Sequence, residues 1–297
     1  MMRLAAVALG ILGGVMAWQN HRYLRARRNL VQDRQPILHR SVRFHVVTFL
    51  EVAEGQDVVE QVRMLRRAIE ASGSAQVVYA GQAAFTVPSS QLEPGSWDAV
   101  VVVQYESREA YETAAVSTVY REALMAFRRS YSHGMRRSSA LNLLIPQALL
   151  GLRLIDLLQG KWDVGELDRA ALAERSEKTA GAGERVEALR SLAAVNDEAA
   201  VVVNLIRNGD RAQRASDRAY GRRMATRFAA LCHGPVHIGS AVTLEGDAEF
   251  DQVVIVHYPG PSYFADMLES RFFNAIIDGK QLADTQAVPT VPILSRL

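Results

Sequence analysis

The sequence predicts an α+β protein in which two ferredoxin-like (βαββαβ) repeats follow an N-terminal transmembrane helix. A segment written twice is the first observation: an aromatic residue, Asp, one spacer, four β-branched residues, a polar residue and Tyr occur at 97–105 and again at 250–258. A single offset of 153 residues relates the two copies, which indicates an internal repeat. The second observation is that strand and helix patterns alternate in the same order around each copy. The third is an uncharged stretch near the N-terminus.

The N-terminal stretch from Leu4 to Trp18 has fifteen residues without a charge. As a helix it would be about 22 Å long, short of the roughly 30 Å hydrocarbon core, although flanking residues can extend it. Arginines then cluster between Arg22 and Arg28. The positive-inside rule therefore predicts a single-pass anchor in the inner or cytoplasmic membrane, with the remaining domains on the cytoplasmic side. The alternative is a cleaved signal peptide on an exported protein, which the basic cluster disfavours.

Five regions are expected along the chain: the anchor with its basic flank, a linker, the first repeat, a helical charged connector and the second repeat. They are predicted at 1–28, 29–41, 42–147, 148–194 and 195–297.

The first repeat is expected to contain four strands and two helices. β-Branched and aromatic runs predict the strands, and apolar residues at helical spacing predict the helices, the second of which begins with Ser107 as its N-cap. In chain order these are strand 42–49, helix 58–71, strand 76–87 broken at Gly81, strand 100–103, helix 107–127 and strand 141–145.

The second repeat is expected to follow the same order. Its predicted elements are strand 199–206, helix 215–231, strand 237–244, strand 253–256, helix 262–277 and strand 285–289. Between the repeats, 149–158 predicts a helix docked on protein, with a membrane-surface role as the alternative. Residues 163–190, rich in Ala, Glu and Arg, predict a charged, partly helical connector.

Composition narrows the function classes. The net charge is +2, from 34 basic and 32 acidic residues, so nothing favours nucleic acid as a partner. The lone Cys232 excludes an intramolecular disulfide. No metal or phosphate motif such as HExxH or CxxC occurs, so the sequence predicts neither a metal nor a cofactor. His133, which lies in a basic stretch, is interpreted as solvated.

The second copy resembles the domain of unknown function 1330 family. The residues that carry the resemblance are the His233-Gly234 pair, the Glu245-Gly246 turn, the Phe250-Asp251 pair and the following β-branched strand up to Pro259. The match covers about 201–292; the first copy is more degenerate, with Ser72 in place of the histidine.

The resemblance implies a fold and leaves the chemistry open. In this superfamily, the dimeric α/β barrels, two ferredoxin-like units from two chains face each other sheet to sheet. Two copies in one chain therefore imply an intramolecular dimeric α/β barrel. The relatives include monooxygenases without cofactors, lactone isomerases and haem-binding enzymes, so fold alone does not choose among them.

Candidate catalytic residues are His233, His257 and Tyr258, and candidate ligand-binding residues are His45 and Tyr105. His233 could be a general base, because imidazole titrates near neutral pH, or it could only complete a turn. His257 follows a buried strand and faces either the sheet interface or solvent. The two tyrosines are equivalent in the two copies, which favours a packing role. Asp98 and Asp251, also equivalent, are expected to make turn hydrogen bonds.

The sequence is compatible with three functions. The main one is a membrane-anchored protein that binds a small apolar ligand or a protein partner, or serves as a scaffold, because the repeats are degenerate and no catalytic motif occurs. The alternative is a cofactor-independent monooxygenase or isomerase with its site in the second repeat. Haem binding is the third, and only the fold favours it.

Overall fold

The structure, a computed structural model, describes residues 7, 9–19, 21, 44–71, 73–137, 139–161, 167–231 and 233–297. The predicted linker at 29–41, the arginines that follow the anchor and Cys232 lie outside the described residues.

Eight strands form a closed barrel. They are β1 (Phe44–Glu51), β2 (Ala75–Ala83), β3 (Ala99–Tyr105), β4 (Arg129–Arg137), β5 (Ala200–Arg207), β6 (Gly234–Thr243), β7 (Gln252–Tyr258) and β8 (Asp284–Pro292). Their order around the barrel is β1-β3-β2-β8-β5-β7-β6-β4, and every neighbouring pair is antiparallel. Each repeat supplies one four-stranded sheet, β4-β1-β3-β2 or β8-β5-β7-β6. The chain therefore has the dimeric α/β barrel architecture within a single polypeptide.

The doubled segment forms β3 and β7, the second strand in from one edge of each sheet. Because side chains alternate along a strand, Val100 and Val102 face the lumen while Val101 and Val103 face the outer helices. In the twin strand, Val253 and Ile255 face the same lumen. Each fully buried aliphatic side chain contributes about 1.5–3 kcal/mol, so these two strands account for much of the barrel's apolar core.

Helices cover the outer face of the barrel. They are α1 (Val58–Glu70), α2 (Arg108–Ala115), α3 (Thr118–Met125), α4 (Ser139–Leu158), α5 (Glu177–Ala180), α6 (Gly183–Ala193), α7 (Arg211–Leu231), α8 (Pro261–Glu269) and α9 (Arg271–Asn274). Side-chain caps fix several starts: Asp57 accepts from the Glu60 N–H at 2.8 Å at the start of α1. The predicted helix 107–127 is instead two helices, because Ser117 caps a new one.

The last strand of the first repeat is not where the sequence predicts it. Residues 141–145 belong to helix α4, and the strand is Arg129–Arg137, which pairs with β1 along its whole length. This strand has few aliphatic residues because small residues lie on its outer face, where Ser132 bonds Thr48 at 3.1 Å. Likewise, β2 continues through Gly81 instead of breaking there.

Residues 9–19 are helical, whereas residues 1–6 and Ala8 lie outside the described residues. Within the part of the chain that the structure describes, no helix combines the length and the apolar character needed to cross a membrane. The structure therefore does not support the predicted transmembrane helix. The predicted location at the cytoplasmic face, and export as its alternative, stay predictions.

Candidate functional site

One end of the barrel lumen is polar, and we call it the histidine end. It is the end at which β1, β2, β5 and β6 begin and β3, β4, β7 and β8 finish. Its members are buried side chains from both repeats. They are His45, Gln104, Arg137, His233, His237 and His257. The main chain therefore brings residues nearly 200 positions apart into one small volume.

The imidazole rings of the histidine end form two pairs. The ring centroids of His45 and His237 are 5.3 Å apart, so β1 of the first copy meets β6 of the second. The rings of His233 and His257 are 6.2 Å apart and lie edge to face. His45, His237 and His257 have no exposed surface, and His233 is 9% exposed. A buried group of this kind can exchange protons with a bound molecule while bulk water is excluded.

Strand register places His45, His237 and His257 in the lumen. His257 follows Val253 and Ile255 on the inner face of β7, and His45 lies opposite Gln104 and Met135. In β6 a bulge between Pro235 and His237 shifts the register. A bulge re-aims the side chains on one side of it, and here His237 lies opposite the inward-facing Ile255.

His233 occupies the turn that leads into β6. Its Nδ1 donates to the carbonyl oxygen of Leu231, because a carbonyl can only accept. In the neutral ring Nε2 is therefore the nitrogen with the lone pair, as a general base requires. Gly234 follows with φ of +111°, and a Cβ there would meet Phe228 at 3.0 Å. The His-Gly pair thus sets the turn and aims the ring at the same time.

Apolar side chains separate the histidine end from the rest of the lumen. Val47, Met135 and Ile255 are fully buried and belong to the core cluster that fills the middle of the lumen. Arg137, the last residue of β4, shares the inner face with Met135 and is 4% exposed. The site therefore combines an apolar floor, four imidazoles and one guanidinium.

A further histidine, His133, lies deeper on β4 and is fully buried, so its interpretation as a solvated residue is wrong. Its Nδ1 lies 3.1 Å from the Tyr131 hydroxyl, and its ring meets Phe250 edge to face at 5.5 Å. Burial lowers the pKa of His133 to about 4. His133 is therefore neutral at physiological pH and belongs to the packing of the lumen.

The two candidate tyrosines do not join the histidines. Tyr105 and Tyr258 face outward beneath the helices, where Tyr105 packs on Tyr111 at 5.3 Å and Tyr258 on Phe264 at 4.5 Å. Burial raises the pKa of both hydroxyls. Neither can exchange a proton with a molecule in the lumen.

The equivalent aspartates make equivalent hydrogen bonds. Asp98 Oδ2 accepts from the Val52 N–H at 2.8 Å, and Asp251 Oδ2 accepts from the Asn208 N–H at 2.7 Å. Each therefore fixes the chain just after the first strand of its repeat, as expected for a turn residue.

Sequence reasoning missed His237 and Arg137 as site residues. A histidine within a strand gives no signal by itself, and the bulge that turns His237 inward cannot be read from residue types. Among the described residues, no group of three or more His, Cys, Asp or Glu side chains could hold a metal ion.

Comparisons with known proteins give similar structures only. No known family matches the sequence, and no curated protein matches it. Similar solved structures include a dye-decolorizing protein from V. cholerae, with 10% identity over 86% of this chain and 95% of that chain, and a TM-score of 0.45. A protein from Fusobacterium nucleatum assigned as a monooxygenase has 11% identity over 85% of this chain and 93% of that chain, with a TM-score of 0.43. A chlorite dismutase variant from Candidatus Nitrospira defluvii has 10% identity over 86% and 94%, with a TM-score of 0.43.

These findings correct the main functional expectation. The expectation of a membrane-anchored binding or scaffold protein is contradicted, because no helix among the described residues could cross a membrane. The similar structures carry the names of enzymes. The likeness is too weak to transfer any of those activities to this chain.

Proposed function

We propose that the protein is an enzyme for a small molecule, a monooxygenase or isomerase without a cofactor, whose reaction takes place at the histidine end of the barrel. The observation that carries the proposal is two pairs of buried imidazoles, one of which joins the two repeats, at the same end of the barrel as the nearly buried Arg137. The middle of the lumen is filled mainly by apolar side chains, whereas this end concentrates buried polar ones.

Proton abstraction is the chemistry that these residues support. His233 Nε2 would accept a proton from an acidic C–H or O–H group of the substrate, and the electron pair would stay on the substrate as an enolate or phenolate. Arg137 would stabilise that negative charge, since a preorganised cation in a site that excludes water lowers the barrier. An isomerase would return the proton to another atom, whereas a monooxygenase would pass the electrons to molecular oxygen.

The proposed substrate is small. The fully buried floor of Val47, Met135 and Ile255 limits the depth to which a ligand can enter. The same floor does not fit haem, because a flat macrocycle needs an open slot beside its axial ligand and these side chains pack into one continuous cluster. We therefore derive no step through haem.

Kinship of the second copy with the domain of unknown function 1330 family is part of the same proposal. Its support is the turn at His233-Gly234, where the positive φ of Gly234 explains the glycine, and the hydrogen bond of Asp251.

The proposal is tested by proton exchange and oxygen uptake. The full chain is incubated in D₂O with a panel of small carbonyl and phenolic compounds that includes anthrone. Deuterium incorporation is followed by NMR and oxygen consumption with an electrode. We expect turnover of at least one compound, and a loss of about 100-fold or more in the variants His233→Gln and His257→Gln, because general acid–base catalysis contributes about 10²–10⁴-fold.

His133→Gln is the matched control, because it removes another buried histidine of the same lumen without touching the histidine end. It should retain most of the activity. Equal losses in all three variants, or no exchange and no oxygen uptake with any compound, would count against an enzyme with its site at the histidine end.

A further inference from the structure

A cavity lies on the outside of the barrel, between helices α4 and α7. Its volume is about 400 Å³. The last part of α4 contributes one wall, the last third of α7 contributes the other, and Phe272 of α9 closes one side. The cavity has no connection with the reaction proposed above.

The charges around this cavity are strongly unbalanced. Five cationic side chains line it against one carboxylate, Asp156. The cations are Arg153, Lys161, Arg222, Arg223 and Arg227. Helix α7 as a whole carries six arginines and a single acidic residue. The whole chain has a net charge of only +2, so positive charge is concentrated here.

Some of these cations already have protein partners. Arg227 is nearly buried, donates from Nε to the Tyr263 hydroxyl at 2.7 Å and lies over the Phe272 ring at 5.2 Å. Lys161 lies 3.9 Å from Asp156, which is the only carboxylate in the wall. These contacts hold the side chains of Arg227 and Lys161 in place in the cavity wall.

Arg222 and Arg223 differ from the others. Both are exposed, and across the described part of the chain no carboxylate lies within ion-pairing distance of either guanidinium. Neighbouring like charges repel one another, so a cluster of this kind is stabilised by an anion that it can share. The cavity lies at the C-terminal end of α4, and the partial negative charge of the helix dipole at that end disfavours an anion. The net positive charge of the side chains that line the cavity is larger than this partial charge.

The walls are not polar throughout. Leu152, Ala230 and Phe272 supply apolar surface inside the cavity. A volume of about 400 Å³ also exceeds what a bare inorganic anion fills. The lining therefore suits a molecule with an anionic group and a small apolar part.

We propose that this cavity binds a phosphate ester, with the phosphate group held by Arg222 and Arg223 and the organic part against Leu152, Ala230 and Phe272. Arginine binds both phosphate and carboxylate through two parallel N–H···O bonds. Phosphate fits this cluster of cations better, since it carries up to two negative charges. The same group occurs in soluble metabolites and in phospholipid headgroups. Leu154 and Leu158, exposed residues of the helix that forms one wall, would contact the acyl chains in the second case.

Binding of two probes to the purified full chain tests the proposal. Phenyl phosphate, measured by isothermal titration calorimetry, represents a soluble ester. Sedimentation with phosphatidylcholine vesicles that contain phosphatidic acid, compared with pure phosphatidylcholine vesicles, represents a lipid headgroup. In the double variant Arg222→Gln/Arg223→Gln we expect binding to weaken at least about 10-fold, because hydrogen bonds between charged groups are the strong ones.

Arg211→Gln/Arg218→Gln is the matched control: it removes two exposed arginines of the same helix that do not line the cavity. It should change binding less than about 2-fold. Arg222→Lys/Arg223→Lys keeps the charge but loses the planar donor pair, and an intermediate affinity is expected. Leu152→Trp fills the cavity without a change of charge and should also weaken binding of phenyl phosphate.

The source of the ligand follows from which probe binds. Binding of phenyl phosphate that only the cavity variants weaken supports a soluble ester, and binding of the phosphatidic acid vesicles alone, with the same variant pattern, supports a headgroup. Absence of binding to both probes, or equal loss in the control variant, overturns the proposal.

Discussion

The two copies share a backbone plan but present different side chains to the lumen. Each has the same strand order, a bulge in its second strand and an aspartate before its third strand that accepts a hydrogen bond from the chain just after its first strand. Strand pairing makes several inner positions equivalent, each with different residues in the two copies. In the order first copy then second, they are His45 and Val201, Tyr79 and His237, Gln104 and His257, and His133 and Val288. The fold is therefore carried by the alternating apolar pattern, which leaves the polar positions of the lumen able to diverge.

The largest difference between the copies should appear in core packing. Phe49 is fully buried and meets Trp97 at 5.9 Å and Tyr131 at 6.5 Å, whereas its equivalent Leu205 is aliphatic. Phe49→Ala is expected to lower the free energy of unfolding by about 3–5 kcal/mol, and Leu205→Ala by about 2–5 kcal/mol. Urea denaturation measures both. A smaller loss for Phe49→Ala than for Leu205→Ala would show that the aromatic cluster does not stabilise the first copy in particular.

Acid should destabilise the first copy through His133. Burial lowers the pKa of His133 from 6.5 in the unfolded chain to about 4. The unfolded chain then binds the proton more tightly, so stability present above pH 6.5 falls as the pH drops toward 4. The loss is about 1.4 kcal/mol per pH unit at most and on the order of 3 kcal/mol in total.

His133→Val, which installs the residue of the second copy, should remove this part of the pH dependence of the free energy of unfolding. Tyr131→Phe is the control, because it removes the hydrogen bond at 3.1 Å but keeps the buried imidazole. An unchanged acid slope in His133→Val would refute the assignment to this residue.

Equivalent glycines, Gly81 in β2 and Gly239 in β6, should respond unequally to alanine. A Cβ at Gly239 would lie 2.5 Å from the backbone oxygen of Arg136, which cannot move without shifting strand β4. A Cβ at Gly81 would meet the side chains of Tyr79 and Thr290 instead. Overpacking of this kind costs about 1–3 kcal/mol, and thermal unfolding should show the larger loss for Gly239→Ala. The Tyr79 hydroxyl and Thr290 Oγ1 are hydrogen-bonded at 2.6 Å, and the reverse order would mean that this pair is the more rigid obstacle.

The smallest difference is expected at the repeated aspartates. Asp98→Ala and Asp251→Ala each remove one charge-assisted hydrogen bond to a backbone N–H, at a cost of about 1–2 kcal/mol. Asp98 is half-buried and Asp251 is exposed, so the free energy of unfolding should fall more for Asp98→Ala. Equal losses would indicate that solvent replaces neither bond.

Much of the barrel could be predicted because its strands are locally apolar. The doubled segment identified β3 and β7, and the expected strands of the second copy overlap the observed ones. Strand β4 was missed because its residues are mostly polar or basic and the next apolar run, 141–145, offered a better local match. Helix α7 begins at Arg211, four residues before the expected start, because Asp210 caps it by accepting from the Ala212 and Gln213 N–H groups at 2.8 and 2.9 Å.

The site was only partly predictable because it depends on closure of the barrel. His45, His233 and His257 could be selected as residue types, but the approach of His45 to the histidines of the second copy depends on the pairing of β4 with β6, which joins sheets from two repeats. The cationic cavity could not be predicted from the sequence either. Three of its arginines lie in α7, Arg153 lies in α4 and Phe272 lies in α9, and no local pattern indicates that these helices pack together.

Fusion of the two repeats has a consequence for how such a barrel can change. In a pair of identical chains every substitution is made twice, so a new imidazole meets its own copy across the symmetry axis and both must be tolerated. Here the second copy can have His257 while the first copy has Gln104 at the equivalent position. The free-energy cost of burying an imidazole therefore arises once in the barrel and not twice. A single chain can thus evolve an asymmetric site, whereas in a symmetric dimer each substitution occurs in both subunits.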